Sequence, residues 1–149
     1  MQGQRQLSLW GARIAARLIL AEAFICLLLA RLALGLFSFQ RLTWYFNLKA
    51  RQPELSGEQR IRAGRAVRNA LFRVYSRYLP WATCFHWAIA AQTMLRWRGV
   101  TATLYYGAAT LPGRGLVAHT WLMDGSSHVT GVSIAVQDGY KVLAQYPSQ

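Results

Sequence analysis

Apolar positions recur with a period near 3.6 over the first two thirds of the chain and near 2 over the last third. That change predicts helices followed by a sheet. Within residues 1 to about 50, Leu7, Trp10, Ile14, Leu18 and Ala21 share one helical face, while Arg13 and Arg17 fall on another. The apolar run continues to Phe39, and residues 41–50 form a polar-aromatic exit. Pro53 and Leu55-Ser56-Gly57 then break the pattern. A second helix is predicted from Glu58 to Leu79, where Ile61, Gly64, Val67, Leu71, Val74 and Tyr78 form an apolar stripe. Arg60, Arg62, Arg65, Arg68, Arg73 and Arg77 occupy much of the rest of its surface, as a solvated basic face or a docking surface for an acidic peptide or a partner protein.

Pro80 ends that helix, and Thr83 is placed to cap a third, which runs to about Arg98 and stops at Gly99. Cys84, Ala88, Ala91 and Leu95 share one face of it, and three of these are small enough for a sheet to approach closely. Alternation then predicts strands from Val100 to Ala108, Leu116 to Met123, His128 to Ile134 and Tyr140 to Tyr146. The residues from Leu111 to Gly115 read as a loop, and Asp124-Gly125 and Asp138-Gly139 as turns. The expected architecture is α+β: N-terminal helices, then a helix packed on an antiparallel sheet. Residues 1–50 form a hydrophobic helical segment and 51–149 the domain proper, within one compact unit.

Composition narrows this picture. Apolar residues make up 54% of the 149 and aromatics 13%, which excludes disorder. Seventeen Lys and Arg against five Asp and Glu give a formal charge of +12, so an anionic partner is expected: an acidic peptide or a phospholipid surface. No nucleic-acid-binding motif or basic-aromatic strand pattern accompanies the charge, and nucleic acid is not expected as a partner. Residues 14–39 approach the roughly 20 apolar residues that a membrane span needs. Glu22 and Arg31 interrupt them, each costing roughly 2.5–3.5 kcal/mol near the bilayer centre. A buried or partner-facing helix hairpin, with contact at the inner face of a membrane as a further possibility, fits better than a span. The two cysteines, Cys26 and Cys84, provide neither a disulfide framework nor a metal site, and both read as free thiols in a reducing cytoplasm.

The candidate chemistry centres on Cys84. Unpaired N–H groups and the dipole at a helix N-terminus favour a thiolate. A nucleophilic thiol also needs a base, and His86, His119 and His128 are available. His86 lies two residues from Cys84 and points away on a helix. His119, in the middle of a strand, is the better candidate. The backbone N–H of Cys84 is the expected oxyanion donor. Trp81 and Trp121 are candidate walls of a substrate groove, although tryptophan beside a sheet is more often core.

Read together, Pro80-Trp-Ala-Thr-Cys84, Leu95-Arg-Trp-Arg-Gly99-Val100, Ala102-Thr-Leu-Tyr-Tyr-Gly107, Ala118-His119-Thr-Trp121-Leu and Asp124-Gly125 resemble the papain/transglutaminase-like domain of lasso-peptide leader peptidases, over residues 80–146. The resemblance implies a cysteine peptidase with Cys84 as nucleophile and His119 as general base and acid. It needs no metal and no cofactor of its own. The implied partners are a precursor leader peptide, a separate winged-helix protein that holds the leader, and an asparagine-synthetase-like cyclase to which any ATP belongs. One feature departs from the family. Its members usually carry an Asp on the strand after the His to orient the imidazole. A turn at Gly125-Ser126 would pair Met123 with His128, Trp121 with Thr130 and His119 with Val132, leaving no carboxylate on the His119 face. Thr130 is then the candidate orienting residue, with Asp124, which reads as a turn residue, as the other. Three readings stay open: hydrolysis of a thioester, amide transfer from the same thioester, and a non-catalytic basic protein at a membrane surface.

Overall fold

The computed structural model describes residues 2–50, 55–125, 127–131 and 139–147, with side chains from residue 10 onward. Four helices, α1 (Gln2–Leu36), α2 (Phe39–Phe46), α3 (Gly57–Tyr78) and α4 (Cys84–Trp97), precede four strands, β1 (Thr103–Leu111), β2 (Gly115–Asp124), β3 (Ser127–Thr130) and β4 (Lys141–Tyr146). The strands form one antiparallel sheet in the order β3-β2-β1-β4. This is the α+β arrangement that the change of period predicts.

The central element is α4. From Ala88 to Leu95 every residue is buried, so the helix is enclosed by α1 and α3 on one side and the sheet on the other. One small-residue face was expected; the structure covers the whole circumference. Leu104 and Leu122 from the sheet, Val67, Leu71 and Val74 from α3, and Ala23, Leu27 and Ala30 from α1 meet α4 in a single core. The N-terminal segment is therefore part of the same core as the rest of the chain. It also divides in two at Phe37-Ser38, with α2 adding Leu42 and the fully buried Phe46.

The two charges that interrupt the apolar run are both engaged. Arg98, just past the end of α4, binds the Glu22 carboxylate through Nη1 and Nη2, each at 2.5 Å. The Arg31 guanidinium lies 4.4 Å from the centre of the Trp81 ring. Buried Gln92 donates to the carbonyls of Phe46 (3.1 Å) and Tyr146 (3.3 Å), tying α4 to α2 and β4.

In the sheet, the first hairpin is tighter than expected. Leu111 pairs with Gly115, so the strands take both ends of the anticipated loop and leave residues 112–114 as the turn. The β2–β3 register differs more consequentially. Met123 faces His128 as expected, but a bulge between Leu122 and Met123 places Thr130 opposite Leu122 rather than Trp121. A bulge sets two residues of one strand against one of the other, which changes which side chains are neighbours beyond it. The expected partner of His119, Val132, lies outside the described residues, as do Pro53, Ser126, Asp138 and the expected end of the third strand.

Because α1 fills part of the common core, Leu27→Ala should destabilise the fold by about 2–5 kcal/mol, as for other large-to-small changes at enclosed sites. Denaturant unfolding measures this, and a loss within about 0.5 kcal/mol would mean that α1 is an appendage.

Candidate active site

The site begins with how α4 starts. Thr83, in an extended conformation, is its N-cap, and Thr83 with His86 forms a capping box. Thr83 N–H donates to His86 Nδ1 at 3.1 Å, and Thr83 Oγ1 lies 2.8 Å from the same nitrogen. An imidazole here does the work usually done by Glu or Gln at this position. His86 is further held by Trp81, whose ring meets it edge-on at 5.4 Å. Burial, and secondarily the Arg31 charge, push the His86 pKa below the usual 6.5. His86 is thus a structural residue of the helix start and leaves the base to another histidine.

Cys84 is the first residue of α4 and a half-buried free thiol. The first-turn N–H groups have no acceptor within the helix, so the backbone at Cys84 offers hydrogen-bond donors beside the sulfur. Cys26 is the contrast. It is 3% exposed, and burial, reinforced by the Glu22 carboxylate and partly offset by Arg98, pushes its pKa up to about 11. Of the two thiols, Cys84 is the one suited to nucleophilic chemistry.

Two clefts open beside this thiol. One, of about 590 Å³, lies between α3, α4 and β3 and is bordered by Arg68, Phe72, Trp87, His128 and Thr130. The other, of about 400 Å³, is bordered by Phe39, Phe85, Tyr106, Ala118 and Thr120. Cys84 borders both. An extended chain laid across the sulfur therefore has a recess on either side of it.

His119 lies in the middle of β2, opposite Gly107, but on the other face of the strand from its neighbours Ala118 and Thr120, which border the thiol's smaller cleft. There it stacks on Trp121, with centroids 6.1 Å apart, and meets Tyr140 at 5.5 Å. No hydrogen bond joins Cys84 to His119 among the described residues. The Nε2 atom of His119 is buried with no hydrogen-bond partner, and burial lowers the pKa of the ring below 6.5. This nitrogen is directed toward Gly131, a residue with φ of +105° where an added Cβ would lie 3.5 Å from Nε2 and 2.5 Å from the Trp121 Cβ. Gly131 also borders the thiol's larger cleft. A side chain at 131 would collide with Trp121, so only glycine lets the backbone pass this close to the ring.

The other candidates are placed as follows. Thr130 is 4% exposed, and its Oγ1 is buried without a partner in the cleft that holds Cys84. The bulge sets Thr130 beside Leu122, so it does not sit across from the His119 side of β2. Asp124 is more than a turn residue. It closes β2, is nearly fully buried and forms an ion pair with Arg60 of α3, whose Nη2 also donates to the Thr101 carbonyl at 2.9 Å. Trp81 borders neither cleft, because it is sandwiched between Arg31 and His86. Trp121, 4% exposed, is stacked on Tyr105 at 5.6 Å on the far face of the sheet, where Gly107 leaves it room. Neither tryptophan walls the thiol's clefts. Phe39, Phe85 and Tyr106 do so on one side, and Arg68, Phe72 and Trp87 on the other. The spacing of Arg68, Phe72 and Tyr75 on α3 was a legible signal for the second wall; for the first there was none, since Phe39 arrives from a distant helix. His128, half-buried, is the imidazole that borders the larger cleft itself. Among the described residues no cluster of three or more His, Cys, Asp or Glu could hold a metal ion.

A thiol at the start of an enclosed helix, packed across an antiparallel sheet that carries a histidine, defines a class of cysteine enzymes. Residues 26–145 match the Transglutaminase-like superfamily, and the chain belongs to it. The matched segment begins inside α1, in keeping with a core that includes that helix. This superfamily is compatible with cysteine peptidase or amide-transfer activity. No curated protein and no solved structure matches the chain.

If Asp124 serves the fold through Arg60, then Asp124→Asn should lower stability by about 1–3 kcal/mol and leave the His119 titration unchanged by NMR. An unchanged stability with a shifted His119 titration would instead assign Asp124 to orienting the ring.

Proposed function

We propose that this chain is a cysteine peptidase that removes the leader from a ribosomally made lasso-peptide precursor. The observation that carries the reading is the position of Cys84 at the start of α4 between two clefts, one for the residues on each side of a scissile bond. A site for a small acyl donor would need a recess on one side only. The exposed Arg68 at the rim of the larger cleft suits an acidic residue of the substrate.

The Cys84 sulfur attacks the carbonyl carbon of the last leader residue while backbone N–H groups of the first turn stabilise the oxyanion. The C–N bond breaks, and the proton taken from the thiol passes through the base to the departing amine. Water, deprotonated by the same imidazole, then hydrolyses the thioester and restores the thiol. We assign the base to His119. Its unpartnered Nε2, beside Gly131 at the border of the larger cleft, supports the assignment, and the motif Ala118-His119-Thr-Trp121 resembles the base-bearing strand of the leader peptidases. Engagement requires the ring to move from the far face of β2 toward the cleft, past Gly131. Thr130, whose hydroxyl borders the same cleft, is the residue best placed to receive the ring once there. His128 is the competing base, favoured by its place in the cleft itself. A separate leader-holding protein and an ATP-using cyclase complete the proposed system, in the cytoplasm.

Incubated with a candidate precursor and the leader-holding protein, Cys84→Ala should bind but not cleave. His119→Ala should lose cleavage by at least about 100-fold, the low end of general-base effects, whereas His128→Ala should retain it. The opposite result for the two histidines would transfer the base role to His128. Cleavage by Cys84→Ala would end the peptidase reading, and joining of the leader to an added amine in place of hydrolysis would favour amide transfer.

The pH dependence has a definite sign. The base acts when neutral, and burial lowers the His119 pKa, so the ring stays competent below the ordinary imidazole midpoint. The acid limb of kcat/KM should therefore fall below pH 6.5. A limb at or above that value would contradict a buried His119 as the base.

A further inference from the structure

The largest feature left unused by the chemistry at Cys84 is the outward side of α1. Its inner side, Ala23, Cys26, Leu27 and Ala30, is sealed in the core. Its outer side is equally apolar. Ile14, Leu18, Ile25, Leu29, Leu32 and Leu36 are all exposed and follow one another at helical spacing. From Leu18 to Leu36, a length of roughly 27 Å at 1.5 Å per residue, the one charge bordering that arc is Glu22, which is paired with Arg98. Arg13, Arg17 and Arg31 run along one flank, all exposed. A cleft of about 570 Å³, bordered by Leu29, Leu32, Leu36, Trp44 and Trp97, continues the apolar surface between α1, α2 and α4. Trp10 stands toward the beginning of the ridge, and Trp44 and Trp97 beside its end, each at least 63% exposed.

We infer that this surface docks onto an anionic lipid bilayer, with α1 lying in the plane of the interface. The stretch from Trp10 to Leu36 is long and apolar enough to cross a membrane, with a mean hydropathy of 2.2 over its window. Its inner face, however, is committed to α3 and α4, and Glu22 is committed to Arg98. A helix so held lies on a bilayer instead of crossing it, burying one apolar face in the headgroup boundary. Charge selects lipid as the occupant. The chain carries +12, and three of its five acidic residues, Glu22, Glu58 and Asp124, are engaged by Arg98, Arg62 and Arg60. A second copy would bring the same excess of positive charge against the arginine flank. Anionic headgroups complement it, and exposed tryptophans suit the level where headgroups meet acyl chains. The inference stands independently of the chemistry proposed for Cys84.

Flotation of the full chain with vesicles tests it, using phosphatidylcholine alone and phosphatidylcholine mixed with phosphatidylglycerol. The chain should float with the mixed vesicles, and high salt should weaken this. Replacing Arg13 and Arg17 by Gln should reduce partitioning about thirtyfold, from the attraction each basic residue gains near an anionic surface. Ile25→Glu with Leu29→Glu should reduce it about a hundredfold or more, from the loss of two buried apolar side chains. Both pairs are exposed, and circular dichroism with thermal unfolding checks that the fold is kept. In the unaltered chain, tryptophan emission should shift to the blue and be quenched by brominated lipid. Four results would overturn the inference: no binding to mixed vesicles, undiminished binding by the Ile25 and Leu29 variant, binding that resists alkaline carbonate and so reports a span, or a dimer that the same two substitutions dissolve.

Discussion

The structure depends on the enclosure of α4. Eight consecutive residues of this helix are buried, so its position is dictated from every side, and with it the position of its first residue. A nucleophile on a loop would have to be ordered on each encounter with substrate. Here the core performs that ordering once, at folding, and delivers the Cys84 sulfur to the surface with free N–H groups beside it. The capping box of Thr83 and His86 fixes where the helix begins, and Arg31 and Trp81 brace that box from α1. The N-terminal helix thus reaches the site through a chain of contacts: a guanidinium on an indole, an indole against an imidazole, an imidazole on the cap.

Much of this was legible in the chain. The change of period located the helices and the sheet, and Pro80, Thr83 and Gly99 bounded α4 within a residue. The transglutaminase-like character could be read from the motifs around Cys84 and His119, and the match over residues 26–145 shows that superfamily. What could not be read was which face of β2 each side chain takes. Thr120, Trp121 and Leu122 are all buried, because helices cover one face and Tyr105 and Tyr140 part of the other. A strand covered on both faces loses the alternation that reveals its orientation, and a bulge then changes the pairing without any mark in composition. The pairing expected for Thr130 failed for that reason. Asp124 was misjudged for a related one: its turn-like setting conceals an ion pair to an arginine 64 positions earlier.

The basic character of the chain also resolves into separate parts. Arg60, Arg98 and Arg31 are structural, binding a carboxylate or an aromatic ring in the frame of the molecule. Arg68 stands at the rim of the thiol's cleft, and Arg13 and Arg17 flank the apolar ridge of α1. A single net charge of +12 therefore resolves into arginines bound within the frame, one at the rim of the thiol's cleft and two beside the apolar ridge. The junction of α1 and α2 brings these places together in the chain: Phe39, the first residue of α2, borders the smaller cleft at Cys84, three positions after Leu36 at the end of the apolar ridge.

The central claim is that the sulfur of Cys84 forms a covalent bond to the peptide it cleaves. Rapid acid quenching of the protein with its precursor, followed by peptide mapping in a mass spectrometer, observes that bond directly. The account predicts a leader-sized thioester on the fragment that contains Cys84 and an unmodified Cys26. Cleavage that proceeds with no adduct at Cys84, or an adduct on Cys26, would contradict it.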